Sequence, residues 1–307
     1  MKKGLILGGI LLPYLIHAQH TDTTRSPLVT TAPRLGGVTI TNLAAPIKAN
    51  GNTFFMQLPV VDISIPLYKN FSSVHAVLIK TGVRYEGLLL SNEKNIGNSS
   101  GFHSLTVPLV ASYSFSRTTN LTLIGLATIA SDFKQNIVAD DILYTTGVRI
   151  GFQPKSALRY GVTFTYIHNY SGDFFLPLPD IDWMISKKWN LAGVLPARVS
   201  LKYKFVPSQS IGITAWSLGS MYRVNEGTEK QYLNLQQYSA GLIYDLNLGG
   251  RWKVTLSGGH TMMQRLETFD MTQKVSFNNF KKLYDRTPNV SCRQNSFVAQ
   301  GGISYQF

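Results

Sequence analysis

Residues 197–205 alternate strictly between apolar and polar side chains, and this alternation restricts what the chain can fold into. One set of positions holds Val199, Leu201, Tyr203 and Phe205, and the positions between them hold Arg198, Ser200, Lys202 and Lys204. A period of two sorts these side chains onto the two faces of a β-strand, whereas a helix would scatter the lysines around its circumference. Residues 158–166, 238–246 and 252–257 repeat the pattern. The sequence therefore predicts an all-β protein.

The first residues have the three-part pattern of a secretory signal peptide. Lys2 and Lys3 precede an apolar run over residues 4–16, and Ala18 supplies the small residue before the expected cleavage point. The run is shorter than the roughly 20 residues that a membrane-spanning helix needs. We therefore expect a signal peptide over residues 1–18, with an uncleaved N-terminal anchor as the alternative.

Composition narrows the class of exported β-protein. Removal of two lysines with the signal peptide lowers the formal net charge from +13 to +11, so the mature chain stays basic. Charged residues make up only 15%, against roughly 25% in soluble domains, while aromatic residues reach 11%. The single cysteine, Cys292, excludes an internal disulfide framework. An exported, weakly charged and aromatic-rich chain is typical of a β-barrel in the outer membrane of a Gram-negative bacterium, in contact with outer-membrane lipids.

The turn residues set the expected strand count. Short connections are predicted at residues 69–73, 117–119, 153–156, 186–188, 207–209 and 247–250, and longer polar loops at residues 91–100, 131–141, 169–175, 223–234 and 264–295. Keeping the two kinds in alternation requires a brief outer turn near Leu195-Pro196 and a first strand near residues 37–42. The result is an antiparallel transmembrane barrel of about 14 strands. About 12 strands result if residues 37–42 are only a lead-in and residues 189–205 form one bent strand.

A soluble periplasmic β-sandwich is the alternative architecture. Its strands are typically about 5 or 6 residues long, shorter than the alternating segments of this chain. Aromatic residues also cluster near the predicted strand ends, where a membrane girdle is expected: Tyr113, Phe115, Tyr144, Phe152, Trp183, Trp189, Trp252 and Tyr305. We therefore expect a barrel over residues 36–307, preceded by a periplasmic extension over residues 19–35.

The C-terminal residues resemble the assembly signal of outer-membrane barrels. Gly302, Tyr305 and Phe307 match its pattern of a Gly, an aromatic or apolar residue three positions later, and a final aromatic residue. Gly301 departs from the polar residue that usually precedes the Gly of this signal. The resemblance implies that the last strand closes the barrel and that the barrel-assembly machinery binds it.

The stretch LPLPDIDWMISKKWNLAGVLPARVSLKY, residues 176–203, is similar to a family of bacterial outer-membrane β-barrel proteins of unknown function. IPLYK at residues 65–69 and TGVRYEG at residues 81–87 belong to the same likeness. These motifs are turn and girdle features. The resemblance therefore implies the barrel and its membrane, and it supplies no catalytic residues.

Candidate catalytic groups are few, and we expect no enzyme. Ser257 and His260 are three residues apart on a predicted strand, so their side chains face opposite sides. Acids available for a protease-type site at the outer rim are Asp140, Asp141, Asp173, Asp180 and Asp182. No nucleotide-binding or structural-metal motif occurs in the sequence. We expect no cofactor, no metal and no nucleic-acid partner.

The alternation places charged side chains on the predicted inner face of the barrel, and bases outnumber acids there. They are Lys80, Arg84, Glu86, Arg149, Arg159, Arg198, Lys202, Lys204, Asp245 and Lys253. Such side chains either line a water-filled channel or pair with one another and fill it, and rings of Arg and Lys favour anions. The positive charge also suits contact with anionic headgroups.

Three functions of different classes follow. A porin-like or transport channel for small solutes, anionic ones included, predicts an open lumen, and we rank it first. A structural or surface-interaction barrel acting through its outer loops predicts a filled lumen; its longest loop carries Lys274, Lys281, Lys282, Arg286 and Arg293. An outer-membrane enzyme that hydrolyses lipid or peptide would require a Ser, a His and an acid to converge.

Overall fold

The computed structural model describes residues 35–49, 52–71, 75–91, 101–225, 230–274 and 286–307. The expected signal peptide, and all but the last residue of the expected extension, lie outside these ranges. No helix within the described ranges has the length and apolarity to cross a bilayer. One short 3₁₀ turn, Ala139–Asp141, interrupts an otherwise all-β chain over these ranges.

Strands follow one another along the chain as antiparallel neighbours. In order they are β1 (Gly37–Ala49), β2 (Asn52–Asn70), β3 (Val77–Leu90), β4 (Gly101–Ser114), β5 (Thr119–Ser131), β6 (Ile142–Lys155), β7 (Leu158–Asn169), β8 (Gly172–Met184), β9 (Trp189–Val194), β10 (Arg198–Val206), β11 (Gln209–Val224), β12 (Gln231–Asn247), β13 (Trp252–Asp270), β14 (Val290–Arg293) and β15 (Phe297–Gln306).

These strands close into a barrel because β1 pairs with both β2 and β15. The short β14 and β15 pair with successive parts of β13, so together they occupy one position in the wall. The 15 strands of the described ranges therefore form a closed wall 14 strands wide, as the sequence predicts. The first strand begins at Gly37, and the turn at Leu195-Pro196 separates β9 from β10, so the alternative of 12 strands is wrong.

The connections give the barrel two different ends. The start of β1, the end of β15 and the connections that follow the even-numbered strands from β2 to β12 lie at one end, which we call the terminal end. The opposite end is the loop end. The loop predicted at residues 169–175 is instead a tight turn of two residues. Asn169 Oδ1 accepts hydrogen bonds from Ser171 N and Ser171 Oγ at 2.9 and 2.7 Å, and Gly172 adopts a φ of 122°. These contacts let β7 and β8 pair up to the turn itself.

The outer surface is apolar, with paired aromatic rings near the terminal end. Trp252 packs on Tyr305 with ring centroids 4.8 Å apart, and Trp189 packs on Tyr203 at 5.1 Å. Aliphatic side chains between the two ends are exposed although their strands are fully paired: Ile40, Ile63, Val83, Leu109, Leu123, Val148, Ile211, Ile213, Leu242 and Leu256. An apolar band bounded by aromatic residues suits a hydrocarbon environment.

With the loop end taken as the top of the barrel, the upper part of one strand, β11, bends inward from the circular wall. The upper part of β11 crosses to β5, where Arg223 pairs in parallel with Ser131 and the backbone N of Asp132 donates to the carbonyl of Arg223 at 3.1 Å. The hairpin of β9 and β10 is too short to pair with this part of β11, because the pairing of β10 with β11 ends at Arg198 and Trp216. The loop half of the barrel is thus divided into two spaces.

The first space, which we call the core lobe, is enclosed by β1–β5 and β11–β15 and is filled with apolar side chains. Its fully buried members include Ile47, Met56, Leu88, Phe102, Tyr222, Leu233, Leu235 and Leu266. Protein interiors packed in this way leave few voids as large as a water molecule. The core lobe therefore blocks this side of the lumen.

Candidate functional site

The terminal half of the barrel interior is charged, and most of its charges are paired. Arg149 is the most completely compensated base of the predicted inner face. Its Nε and Nη2 donate to both carboxylate oxygens of Asp180 at 2.8 Å, and its Nη1 donates to Asn120 Oδ1 at 2.9 Å. This bidentate geometry joins β5, β6 and β8 through charge-assisted hydrogen bonds.

A second group of charges lies where β10, β12 and β13 face one another. Lys202 Nζ is 2.7 Å from Asp245 Oδ2, and Lys253 Nζ is 3.0 Å from the same oxygen. Thr255 Oγ1 donates to the other carboxylate oxygen of Asp245 at 2.8 Å. Two cations share one buried carboxylate, so this cluster carries net positive charge.

Arg198 adds to the positive charge beside this cluster. Its Nη2 donates to Gln300 Oε1 at 2.6 Å, a neutral partner on β15, and its guanidinium lies over the ring of Trp216 at 5.8 Å. β10 and β15 are four strand positions apart in the wall, so this hydrogen bond crosses part of the barrel interior. A cation held by an amide and an aromatic ring keeps its charge available to an anion.

Glu86 connects opposite walls of the barrel. Arg84 Nη2 donates to Glu86 Oε2 at 3.0 Å, and Glu86 Oε1 accepts hydrogen bonds from Ser220 Oγ and from Tyr222 Oη of β11. These bonds lie directly below the apolar side chains of the core lobe. They separate the packed loop half from the charged terminal half.

Three cavities lined by described residues lie in the terminal half. The main cavity has a volume of 540 Å³, and its lining includes Asp62, Lys80, Arg84, Glu86, Arg198 and Gln300. The seam cavity, of 140 Å³, is lined by Arg198, Lys202, Asp245, Lys253 and Gln300 together with hydroxyl groups of Thr39, Thr41, Ser200, Thr255 and Ser304. A mouth cavity of 310 Å³ is lined by Asn120, Arg149, Gln153 and Arg159 among others. Arg198 and Gln300 line both the main and the seam cavity, so these two spaces meet there.

The other predicted inner-face bases lie nearer the terminal end. Arg159 Nε donates to Gln153 Oε1 at 2.9 Å, and Lys204 is exposed at the end of β10. Of the predicted assembly signal, Gly302 pairs with Thr41, Tyr305 pairs with Val38, and the backbone N of Phe307 donates to Gly36 O at 3.3 Å. A Cβ atom at Gly302 would lie 2.5 Å from Thr41 Cγ2, so this close approach of β1 and β15 requires glycine.

Sequence reasoning missed most partners of these charges. Asp180 and Asp182 were grouped with acids of the outer rim, yet both are buried in β8 toward the terminal end. Leu178, Asp180 and Asp182 are spaced two residues apart, and this spacing indicates that they share one face of a strand. Gln300 carries no charge and Asn120 lies beside a turn, so no local pattern marked either residue.

A further polar group closes the loop end. Arg223 Nη1 donates to Asp141 Oδ1 at 2.6 Å, and Tyr170 Oη donates to the carbonyl of Ala130 at 2.8 Å. Burial, aided by the nearby Asp141 carboxylate, raises the pKa of the Tyr170 phenol well above its usual value, so it stays protonated as a donor. The Tyr170 ring stacks on Tyr232 with centroids 6.0 Å apart. The turn between β7 and β8 is therefore folded over the top of β12.

The groups considered for catalysis do not converge within the described ranges. His260 packs edge-on against Phe297, while Ser257 is buried on the opposite face of β13. His168 Nδ1 lies 2.6 Å from Asp173 Oδ1, which also accepts a hydrogen bond from Tyr166. Over the described part of the chain, no three His, Cys, Asp or Glu side chains are grouped as metal ligands.

The predicted outer loop at residues 264–295 is partly folded onto the barrel. It contributes the end of β13 and all of β14, which holds the buried Cys292. Arg293 Nη2 lies 2.7 Å from Glu267 Oε1, and the guanidinium of Arg286 lies 4.6 Å from the centre of the Phe269 ring. Lys281 and Lys282 lie outside the described residues.

Comparison with known proteins identifies a family but no activity. A family model described as "Domain of unknown function (DUF6268)" matches residues 48–306. No curated protein matches the chain.

Solved structures with similar folds are outer-membrane barrels. The translocator domain of the autotransporter NalP from Neisseria meningitidis is 11% identical, with 91% of each chain covered and a TM-score of 0.35. The toluene transporter TodX from P. putida is 9% identical, with 90% of this chain and 91% of that chain covered and a TM-score of 0.39. A BenF-like porin from Pseudomonas fluorescens is 9% identical, with 88% and 97% covered and a TM-score of 0.33. At these scores the likenesses carry no argument about function.

Proposed function

We propose that this chain, which belongs to the family described as Domain of unknown function (DUF6268), is an outer-membrane barrel that takes small anionic solutes into its terminal half and stays closed toward its loop end. The observation that supports this proposal is the division of the interior. The loop half on the side of β1–β5 is packed with apolar side chains, whereas the terminal half holds the 540 Å³ main cavity and the 140 Å³ seam cavity.

The outer-membrane location is supported by the surface of the barrel. Its exposed aliphatic residues form a continuous outer face, and aromatic pairs such as Trp252 and Tyr305 lie near the terminal end. We place the terminal end in the periplasm, because short turns and both chain ends lie on that side in barrels of this kind.

The preference for anions is supported by the balance of charge at the seam cavity. Arg198, Lys202 and Lys253 face it, and Asp245 is the acid that lines it. The hydroxyl groups of Thr39 and Thr41 in the same lining are further donors to an oxyanion. Those of Ser200, Thr255 and Ser304 already donate to Thr214, Asp245 and Lys253. A phosphate or a small carboxylate has the size and the acceptor oxygens for this site.

The packed core lobe distinguishes this barrel from a permanently open porin, because it fills part of the lumen with apolar side chains. Passage through the core lobe requires the side chains around Phe102 and Tyr222 to rearrange, since they are buried in contact with one another. The barrel therefore acts as a gated binding and transport protein, loaded from the terminal end.

Titration calorimetry with inorganic phosphate tests the proposal on purified protein in detergent. The Arg198→Gln variant is expected to bind phosphate at least tenfold more weakly than the wild type, about 1.4 kcal/mol, because the cation shared by both cavities is lost. Lys204→Gln is the matched control, since it removes the same charge from the same strand outside the seam cavity. Equal binding by wild type and Arg198→Gln would contradict the proposal.

A surface-interaction barrel is the second candidate, and the filled core lobe favours it. Such a protein needs the wall as a rigid support and needs no solute site. It would become the better account if neither phosphate nor a dicarboxylate such as succinate bound the wild-type protein in the same titration.

A further inference from the structure

The wall of the barrel has an opening on one side of its loop half, between β8 and β11. The β9–β10 hairpin fills the wall only up to its turn, where Leu195 N donates to Pro179 O and Ser217 N donates to Ala197 O, both at 2.8 Å. Above this turn, β8 continues to Gly172 and β11 continues to Val224, and these two strands do not pair with each other over the described residues. We call this opening the side window.

Described residues bound the side window at its lower edge, at its upper edge and along both sides. Its lower edge is the turn at Leu195-Pro196, where Ser217 Oγ donates to Pro196 O at 3.1 Å. Its upper edge is the Tyr170 turn, stacked on Tyr232, together with the pairing of Arg223 with Ser131. Residues 173–179 of β8 and residues 217–223 of β11 form its sides, each about 20 Å long at about 3.4 Å per residue.

Behind the window lies the second space of the loop half, which we call the side chamber. It lies between the inner faces of β5–β8 and the upper part of β11. Leu176 pairs with Thr165 across β8 and β7, and residues paired in this way share one face of the sheet. Thr165 is buried on the inner face, yet its partner Leu176 is 38% exposed. An inner-face leucine with this exposure indicates open space beside it.

The chamber is apolar, with isolated polar atoms. Leu143 and Met221 pack at its upper end against Tyr170 and Phe269. Thr165 Oγ1 and Arg223 Nε are buried, and neither atom makes a hydrogen bond within the described ranges. Both atoms have almost no accessible surface, so the surface that the chamber offers to a ligand is apolar.

The outer face of β11 leads from the barrel surface into this chamber. Ile211 and Ile213 lie on its exposed apolar face, and Gly219 and Met221 continue the same face at intervals of two residues. Because β11 turns inward to reach β5, this face passes from the lipid-facing surface to the chamber. No heavy atom lies within 4 Å of the position that a Cβ atom would occupy at Gly219. The membrane surface and the chamber are therefore continuous through the window.

The edge of β8 disfavours a protein strand as the occupant. The carbonyl of Pro179 points toward β9 and accepts a hydrogen bond from Leu195 N. The backbone polar groups of Pro177, two residues away, point to the same edge of β8, above the end of β9. Proline has no N–H group to offer a further strand, and edge prolines block strand addition. An alkyl chain needs no such donors.

We propose that the side window admits a fatty acid from the membrane, with its alkyl chain in the side chamber. This site is distinct from the anion site of the terminal half, although it rests on the membrane location proposed above. It gives the barrel a second ligand class and a lateral route of entry. The LPLP segment of β8 and the short β9–β10 hairpin are the parts of the sequence that create it.

Photo-crosslinking with a 16-carbon fatty acid that carries a terminal diazirine tests this site in the reconstituted protein. After illumination in phospholipid vesicles, mass spectrometry is expected to find the label on the chamber residues Leu176 and Met221 as well as on the lipid-facing residue Leu242. Gly219→Trp fills the window from a position with free space and is expected to reduce labelling of the chamber residues at least tenfold, leaving Leu242 unchanged. Ile213→Trp on the same strand is the matched control, with wild-type labelling.

Label on Leu242 without label on Leu176 and Met221 would overturn the window, and so would labelling of these two residues that Gly219→Trp leaves unchanged. Absence of label on every residue would overturn the window and also contradict the membrane location. If Gly219→Trp failed to assemble, Leu176→Asn would serve in its place, because it removes apolar surface from the chamber at a partly exposed position. The wild-type labelling pattern decides the question without either variant.

Discussion

Asp180→Ala is expected to destabilise the barrel by about 3–5 kcal/mol, because it leaves a buried arginine without its counter-ion. The guanidinium of Arg149 makes two hydrogen bonds of 2.8 Å to this carboxylate, and the exposed fractions of the two side chains are 10% and 2%. Urea unfolding in phospholipid vesicles, followed by tryptophan fluorescence, measures the loss in the free energy of unfolding.

Two controls isolate the effect of the unpaired charge. Asp182→Ala removes a buried acid from the same face of β8, but this acid accepts a hydrogen bond from Asn190 at 3.2 Å and not from a cation, so its loss is expected to cost less. The double variant Arg149→Met/Asp180→Leu is expected to recover most of the lost stability, since it removes both charges together. A cost under about 1 kcal/mol for Asp180→Ala would contradict a buried, mutually dependent pair.

Phe102→Ala is expected to cost about 3–5 kcal/mol by emptying part of the core lobe. Phe102 has no exposed surface, and its ring lies 5.7 Å from that of Tyr222 on the opposite wall. Phe102→Leu nearly conserves the volume and is expected to cost under about 1.5 kcal/mol. Urea unfolding measures both variants, and equal losses for the two would show that the space around this ring is not packed.

The wall of the barrel is predictable because local rules determine it. Alternation in residues such as Val199 and Lys202 assigns each side chain to a face, and turn chemistry at Leu195-Pro196 keeps successive strands in phase. The strand count follows from these two rules, since a closed wall with both chain ends at one side needs an even number of strands.

The division of the interior is not predictable from the same rules. The inward course of β11 depends on the difference in length between β10 and β11 and on the pairing of Arg223 with Ser131, and these residues are far apart in sequence. A weaker signal was present in the sequence. Leu88 lies on the same face as the charged Arg84 and Glu86, and this change from charged to apolar along one face marks the base of the core lobe.

The sequence predicts eight bases and two acids on the inner face, and this underestimates the number of acids that neutralise the bases. The inner face includes Asp180 and Asp182 in addition to Glu86 and Asp245, so the terminal half is less basic than the sequence indicated. Long-range pairs such as Arg198 with Gln300 depend on which strands face each other across the barrel. Alternation along a single strand contains no information about which strands face each other across the barrel.

Conductance of the wild-type protein in planar lipid bilayers tests most directly whether the barrel is closed by its core lobe. We predict no steady single-channel conductance from the folded wild-type protein in KCl. The double variant Phe102→Ala/Tyr222→Ala, which removes the two rings that meet across the core lobe, is predicted to conduct. A steady open channel in the wild type would contradict the closed loop half and would restore the permanently open porin.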